Sequence, residues 1–310
     1  MRPLLIRLGA VTAGVVALWI GGVLALNASI YSPSRFANDY LSLMAAGEWS
    51  AAAELAGVSE AVDVLPLESA LISDVTISRW QHVGENDVVV QADFLLDEES
   101  QRMLLGLTRA GRTFGVFDRW VFSEPPLAQL SAQVAGIPQV VINGVVVAPG
   151  TTVSALVPGR YGVSAKTQWI ESDTETLSLT EVDQSARVTL AVSPTTSLED
   201  EVRGALVEYL AECASRGVLQ PASCPFGTTV TDRLEGIPTW SISVSPAVAL
   251  ALSRTGESAE VGAIGGVATV TGTIQSIFDG SLRSLNRDIS FSISGVVTEL
   301  DSDSPALRID

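Results

Sequence analysis

The chain has 310 residues, 47% of them hydrophobic and 6% aromatic, with a formal net charge of −17 from 35 acidic and 18 basic residues. That length and apolar content suffice for two or three domains with packed cores. The acidic surface repels phosphate backbones and the arginines are scattered singly, so nucleic acid is excluded as a partner. The D-x-D-x-D-G calcium loop is also missing from the sequence.

The N-terminal segment "MRPLLIRLGAVTAGVVALWIGGVLALNASIYSPSRF" carries Arg2 and Arg7, then no charge until Arg35. The uncharged run predicts a membrane-spanning helix over 8–30, close in length to a bilayer core of about 30 Å. The two arginines favour a cytoplasmic tip at 1–7 and an extracytoplasmic remainder. A cleaved signal peptide, with Val23-Leu24-Ala25 as the cleavage site, is the competing reading. The run exceeds the usual signal core of roughly 7–15 residues, which favours an uncleaved signal-anchor.

Residues 33–124 predict helices and then a strand meander. Ser34 after Pro33 reads as a helix cap. Phe36, Tyr40, Leu43 and Met44 recur at helical spacing, Gly47 ends the helix, and a second helix covers 49–56. Strands are expected at 71–83, 87–96, 102–109 and 113–122. Helices before an antiparallel sheet make an α+β unit. The stretch "FANDYLSLMAAGEWSAAAELAG", with four strands after it, resembles the nuclear-transport-factor-2-like (NTF2-like) fold. That resemblance implies a bent sheet wrapped around the helices, able to enclose a cavity.

Pro125-Pro126 marks a boundary, and 127–195 predicts a short-stranded all-β module. Asn143-Gly144 predicts a tight hairpin turn between valine-rich arms, with Pro149-Gly150 and Pro158-Gly159 as further reversals. Val140, Asn143, Gly144, Gly150, Leu156, Pro158, Gly159, Tyr161 and Val163 together resemble the PEGA-type β module. That likeness implies a spacer or docking unit and no catalytic residues.

A second helix-first unit is expected over 196–310. Its helix begins near Thr195, with Val202, Leu206, Tyr209 and Cys213 on one face and acids in its first turn. Strands are expected at 228–234, 239–253, 258–278 and 288–298, followed by a polar tail that holds Asp301 and Asp303. Glu208-Tyr209-Leu210 echoes Asp39-Tyr40-Leu41, so this unit reads as a second NTF2-like copy or as a chance echo. The glycines at 262, 265, 266 and 272 do not fit dinucleotide spacing and read as a strand edge or bulge. The two cysteines, Cys213 and Cys224, predict a disulfide in an exported chain. Free or metal-bound thiols are the alternative. The order of span, helix-sheet unit, β module and helix-sheet unit resembles the teicoplanin-resistance-associated membrane protein family, without the four-cysteine zinc ribbon that family carries before its span.

Little here predicts catalysis, a cofactor or a metal. His82 is the only histidine and reads as an exposed turn residue. The functional alternative is a base in the first sheet's concavity, helped by Asp93 or Asp118. Trp80 and Trp120 read as core residues or as the lining of an apolar pocket, and Trp169 and Trp240 as core. The sequence therefore predicts a non-enzymatic, membrane-anchored extracytoplasmic protein of the bacterial envelope, whose partner is an envelope protein or polymer. A small apolar-ligand carrier is the second expectation.

Overall fold

The computed structural model describes residues 2–58, 64–66 and 72–310, with side chains from residue 14 onward. The chain forms two compact units. One comprises Met1–Gln133, Val141–Val163 and Thr174–Thr189; the other comprises Val134–Val140, Ser164–Asp173 and Leu190–Asp310.

The first unit begins with α1 (Arg2–Ser29). From Gly14 it belongs to a helical stretch, Gly14–Ala45, long and apolar enough to cross a membrane, with a mean hydropathy of 1.7 over a window of which none is buried. Leu18 is 79% exposed, and Val15, Val16, Trp19, Ile20 and Leu24 are exposed with it. Over 14–22 the described side chains are exposed and apolar or small, a surface with no stable place in water.

Helix α2 (Pro33–Ala45) starts two residues earlier than a cap at Ser34 would place it. Ser32, not Ser34, is the N-cap, accepting a bond from the Arg35 amide, and Pro33 occupies the first turn. Proline lacks an N–H that would be unbonded there anyway, so the cap falls before it. Gly47 adopts φ +74° past the helix end, a conformation glycine takes without strain. After α3 (Trp49–Leu55) come β1 (Ile72–His82), β2 (Asp87–Leu96), β3 (Glu99–Thr113) and β4 (Phe117–Phe122), joined as a simple antiparallel meander. The expected start of the first strand at 71 lies outside the described residues. Strand β2 alternates strictly, with Val88, Val90, Ala92, Phe94 and Leu96 buried. The buried stripe Ala37, Tyr40, Leu41 and Met44 of α2 supplies the helical side of the core. Each large apolar chain so buried contributes roughly 1.5–3 kcal/mol. Phe36 and Tyr40 pack on Phe122, with ring centroids 5.2 and 5.0 Å apart.

The following strands are short: β5 (Leu127–Val134), β6 (Val140–Ile142), β7 (Val145–Val147), β8 (Thr152–Leu156), β9 (Gly159–Ser164), β10 (Ile170–Ser172), β11 (Glu175–Leu179), β12 (Ser185–Leu190) and β13 (Val192–Pro194). They form sheets ordered β12-β5-β8, β11-β9-β6-β7 and β10-β13. Asn143 and Gly144 turn β6 into β7 with φ of 44° and 82°, both in the left-handed region that the dipeptide predicts. The Asn143 side chain has a second use: its oxygen accepts from the Gly162 amide at 2.7 Å and its nitrogen donates to the Pro66 carbonyl at 2.9 Å.

Two fully buried tyrosines hold the interior of this unit. Tyr40 donates to the Val157 carbonyl at 2.6 Å, and Tyr161 donates to the Leu156 carbonyl at 2.7 Å. Burial pushes both phenols up, Tyr40 well above the ordinary tyrosine range with Tyr161 adding to it. An unfolded tyrosine titrates near pH 10. Above that pH the unfolded chain gives up protons that the folded one keeps. Stability is therefore full below about pH 10 and falls as pH rises, by about 1.4 kcal/mol per pH unit for each tyrosine. Urea unfolding between pH 9 and 11.5 should show this slope. Tyr40→Phe should remove its share, while costing about 1–3 kcal/mol at neutral pH through the stranded Val157 carbonyl. An unchanged slope in that variant would refute the assignment.

The second unit contains α4 (Thr196–Ser215), β14 (Arg233–Val244), β15 (Ala247–Leu252), β16 (Ala259–Gln275), β17 (Leu282–Thr298) and β18 (Ala306–Ile309). Thr195 caps α4, accepting from the Leu198 amide and donating to the Gln168 carbonyl. The buried face is Leu198, Val202, Leu206, Leu210 and Cys213. Leu210 takes the place the sequence gives to Tyr209, whose hydroxyl instead donates to the Ser223 carbonyl at 2.6 Å. Cys213 and Cys224 form a disulfide. The sheet order is β14-β16-β17-β18, with β15 paired to β16 as well. The first unit's plain meander is thus not repeated. Strand β16 pairs with β15 through its first half and with β14 through its second, and a register break at 263–266 separates the two halves. Gly265 makes that break with φ +77°, and the Phe291 ring lies where a side chain at Gly266 would go. Asp301 and Asp303 are exposed in a turn as expected, but the tail does not end there: β18 pairs with β17. Trp169 and Trp240 are core residues, their indoles donating to the Ser302 and Val218 carbonyls at 2.7 and 2.8 Å.

Candidate functional site

The first unit has a cleft of about 630 Å³ between the start of α2, α3 and the end of the β3–β4 hairpin. Trp120 forms one wall. Its ring is nearly buried, and its indole N–H donates to the Tyr31 carbonyl at 3.0 Å. The rim is charged. Arg35 pairs with Asp39 at 2.9 Å, one helical turn apart, and Glu54, Asp118 and Arg119 also border the space. Asp118 is occupied by Arg112 at 3.2 Å and Arg109 at 3.6 Å. The Ser32 hydroxyl is committed to the Ser29 carbonyl and the Arg35 amide. The lining offers paired cations and anions over an aromatic floor, which suits reversible binding of a polar group. It includes no histidine or cysteine for proton or acyl transfer.

Of the candidate site residues singled out by sequence, Trp120 and Asp118 belong to this cleft. Trp80 and His82 lie together on β1, ring centroids 5.3 Å apart, and both are exposed. Their register partners are Val90 and Val88, so they share the core-bearing side of the sheet at an uncovered end. Trp80 is 45% exposed and is not the core residue its type suggests. Asp93 sits on the opposite side of β2, where Ser78 and Arg102 hold its carboxyl below the usual range; the Arg102 contact is 2.7 Å. His82 and Asp93 therefore make no dyad. Among the described residues, no group of three or more His, Cys, Asp and Glu side chains could hold a metal ion.

The second unit presents a different surface. The turn between β16 and β17 carries Ile277, Phe278 and Leu282, all exposed, with Phe278 at 93%. The turn is well braced. Asp279 accepts from the Ser281 amide and hydroxyl at 3.1 and 2.8 Å, and bonds from Ser276 and Ser281 hold its carboxyl down to about 2. The brace thus holds three apolar side chains in water. The sequence signal for it is "SIFDGSL", an aromatic beside a turn dipeptide.

No protein-family model matches the chain, and no curated protein or solved structure matches it either.

Proposed function

We propose that this is a single-span membrane protein of the bacterial envelope whose acidic bulk stands outside the cytoplasm and presents a binding surface, without catalysing a reaction. The observation that carries this reading is the described part of α1 from Gly14 onward, apolar and largely exposed. The disulfide supports it, because such bonds persist in oxidising compartments. The presented surface is the braced turn at 276–282. We further read 33–124 and 196–310 as NTF2-like units and 127–195 as a PEGA-like spacer, on the order of helices and strands and on the Asn143-Gly144 hairpin. A carrier for an apolar ligand fits less well. The inner side of the first sheet is filled by Val88, Val90, Phe94, Leu105 and Leu107, each no more than 2% exposed, and the open cleft beside it has a charged rim.

A photoreactive amino acid at position 278 of the full chain, irradiated in intact cells, should give a discrete adduct with one envelope protein or polymer. The adduct should disappear when Ile277 and Leu282 become serine. No adduct, or one unaffected by those changes, would reject the turn as the presented surface.

A further inference from the structure

The β3–β4 hairpin is tied to the end of α1 by specific contacts. Trp120 bonds the Tyr31 carbonyl, and Tyr31 stacks on Phe117 with centroids 4.5 Å apart. Asn27 then accepts from the Asp118 amide and donates to the Val116 carbonyl, both at 2.9 Å. Trp120 and Phe117 thus meet Tyr31, while Asp118 and Val116 meet Asn27. The end of the hairpin is therefore held beside the last turn of α1, where the apolar segment ends. The residues before Val116 complete the tight turn that reverses the chain into β3, with Thr113 opposite Phe117, so the tip of the hairpin stays beside the last turn of α1.

The residue delivered there is Phe114. It is 86% exposed, and its φ of +51° lies in the left-handed region. A bulky side chain in that conformation costs about 1–2 kcal/mol relative to glycine. Neither burial nor backbone preference accounts for a phenylalanine at this position. Its neighbours have an unusual charge for this chain. Residues 109–119, "RAGRTFGVFDR", hold three arginines and one aspartate, a local +2 in a protein of −17. Arg112 is paired with Asp118 yet more than half exposed. Arg119 is exposed too, held along the hairpin by its bond to the Ala110 carbonyl.

We infer that the β3–β4 hairpin is a second membrane contact, with Phe114 entering the interfacial layer of an anionic phospholipid bilayer and Arg112 and Arg119 facing lipid phosphates. The inference rests on α1 spanning that bilayer. An aromatic ring belongs at the interface, where its apolar body leaves water, and basic side chains near an anionic leaflet are drawn to it. With two fixed points, the helix and the hairpin, the first unit cannot swivel freely about its anchor. The cleft beside Trp120 then opens close to the lipid headgroups.

The test uses the full chain reconstituted in vesicles of phosphatidylglycerol and phosphatidylcholine, with a spin label attached after Phe114→Cys, Leu18→Cys or Phe278→Cys. Collision with oxygen against collision with an aqueous nickel complex reports depth. Labels at 18 and 114 should both favour oxygen, with 114 the shallower, and the label at 278 should favour nickel. Arg112→Gln with Arg119→Gln should lower the membrane-bound population of the 114 label by about five-fold per arginine. A label at 114 in water while that at 18 is in lipid overturns the hairpin contact alone. Labels at both positions in water overturn the spanning helix as well. An unchanged 114 label in the double arginine variant overturns the phosphate contacts.

Discussion

Gly136→Ala is expected to destabilise the second unit by about 2–5 kcal/mol, combining left-handed backbone strain with forced overlap. Gly136 has φ +70°, and a Cβ built there would lie 2.6 Å from the Gly256 carbonyl oxygen and 2.7 Å from its carbonyl and α carbons. These are backbone atoms and cannot swing aside. Gly256 mirrors the constraint, with φ +72° and a Cβ position 2.8 Å from the Ala135 oxygen. The segment before β6 and the turn after β15 are pressed backbone to backbone, and only two glycines allow it. Gly236 separates the two costs. It also has positive φ, +80°, but nothing lies within 4 Å of its Cβ position, so Gly236→Ala should cost only the strain of about 1–2 kcal/mol. Urea midpoints of the two variants give the difference directly. Equal losses at 136 and 236 would show that the close approach is not tight in solution.

Local chemistry was readable from sequence where the physical cause is local. Strand β2 declares itself because every second residue from Val88 to Leu96 is apolar, a spacing that only a half-buried strand uses. Thr195 and Asn143-Gly144 mark a helix start and a turn for reasons contained within three or four residues. The apolar run before Asn27 is legible for the same reason. Legibility ends where the cause is distant. Gly136 owes its identity to a residue 120 positions away, and nothing around "VAGIP" reports this. The start of α2 falls two residues before Ser34 because Ser32 and Ser34 flank Pro33 with equal local claims as caps. Strand β18 is four residues of "ALRI" behind a run of aspartates and serines, too short to show a period. Trp80 illustrates a limit of residue type, since a tryptophan at an uncovered sheet end has the same sequence signature as one in a core. Asn27 and Phe114 look like minor irregularities until the hairpin and helix are seen side by side.

The account depends most on where the acidic bulk lies relative to the membrane. A chain delivered through α1 to an oxidising exterior keeps Cys213 and Cys224 joined, and closing that loop contributes about 3 kcal/mol in the chain-entropy model. In the cytosol the pair would be held reduced and that contribution lost. Position 303 is exposed in the second unit, so Asp303→Cys gives a thiol reporter separate from the native pair. The decisive measurement is labelling of that full-length variant with a membrane-impermeant maleimide in intact spheroplasts, compared with labelling after lysis. The predicted result is equal labelling before and after lysis, on a chain that stays with carbonate-washed membranes and has its native cysteine pair oxidised. Labelling that appears only after lysis would place the bulk of the chain in the cytosol and contradict the account.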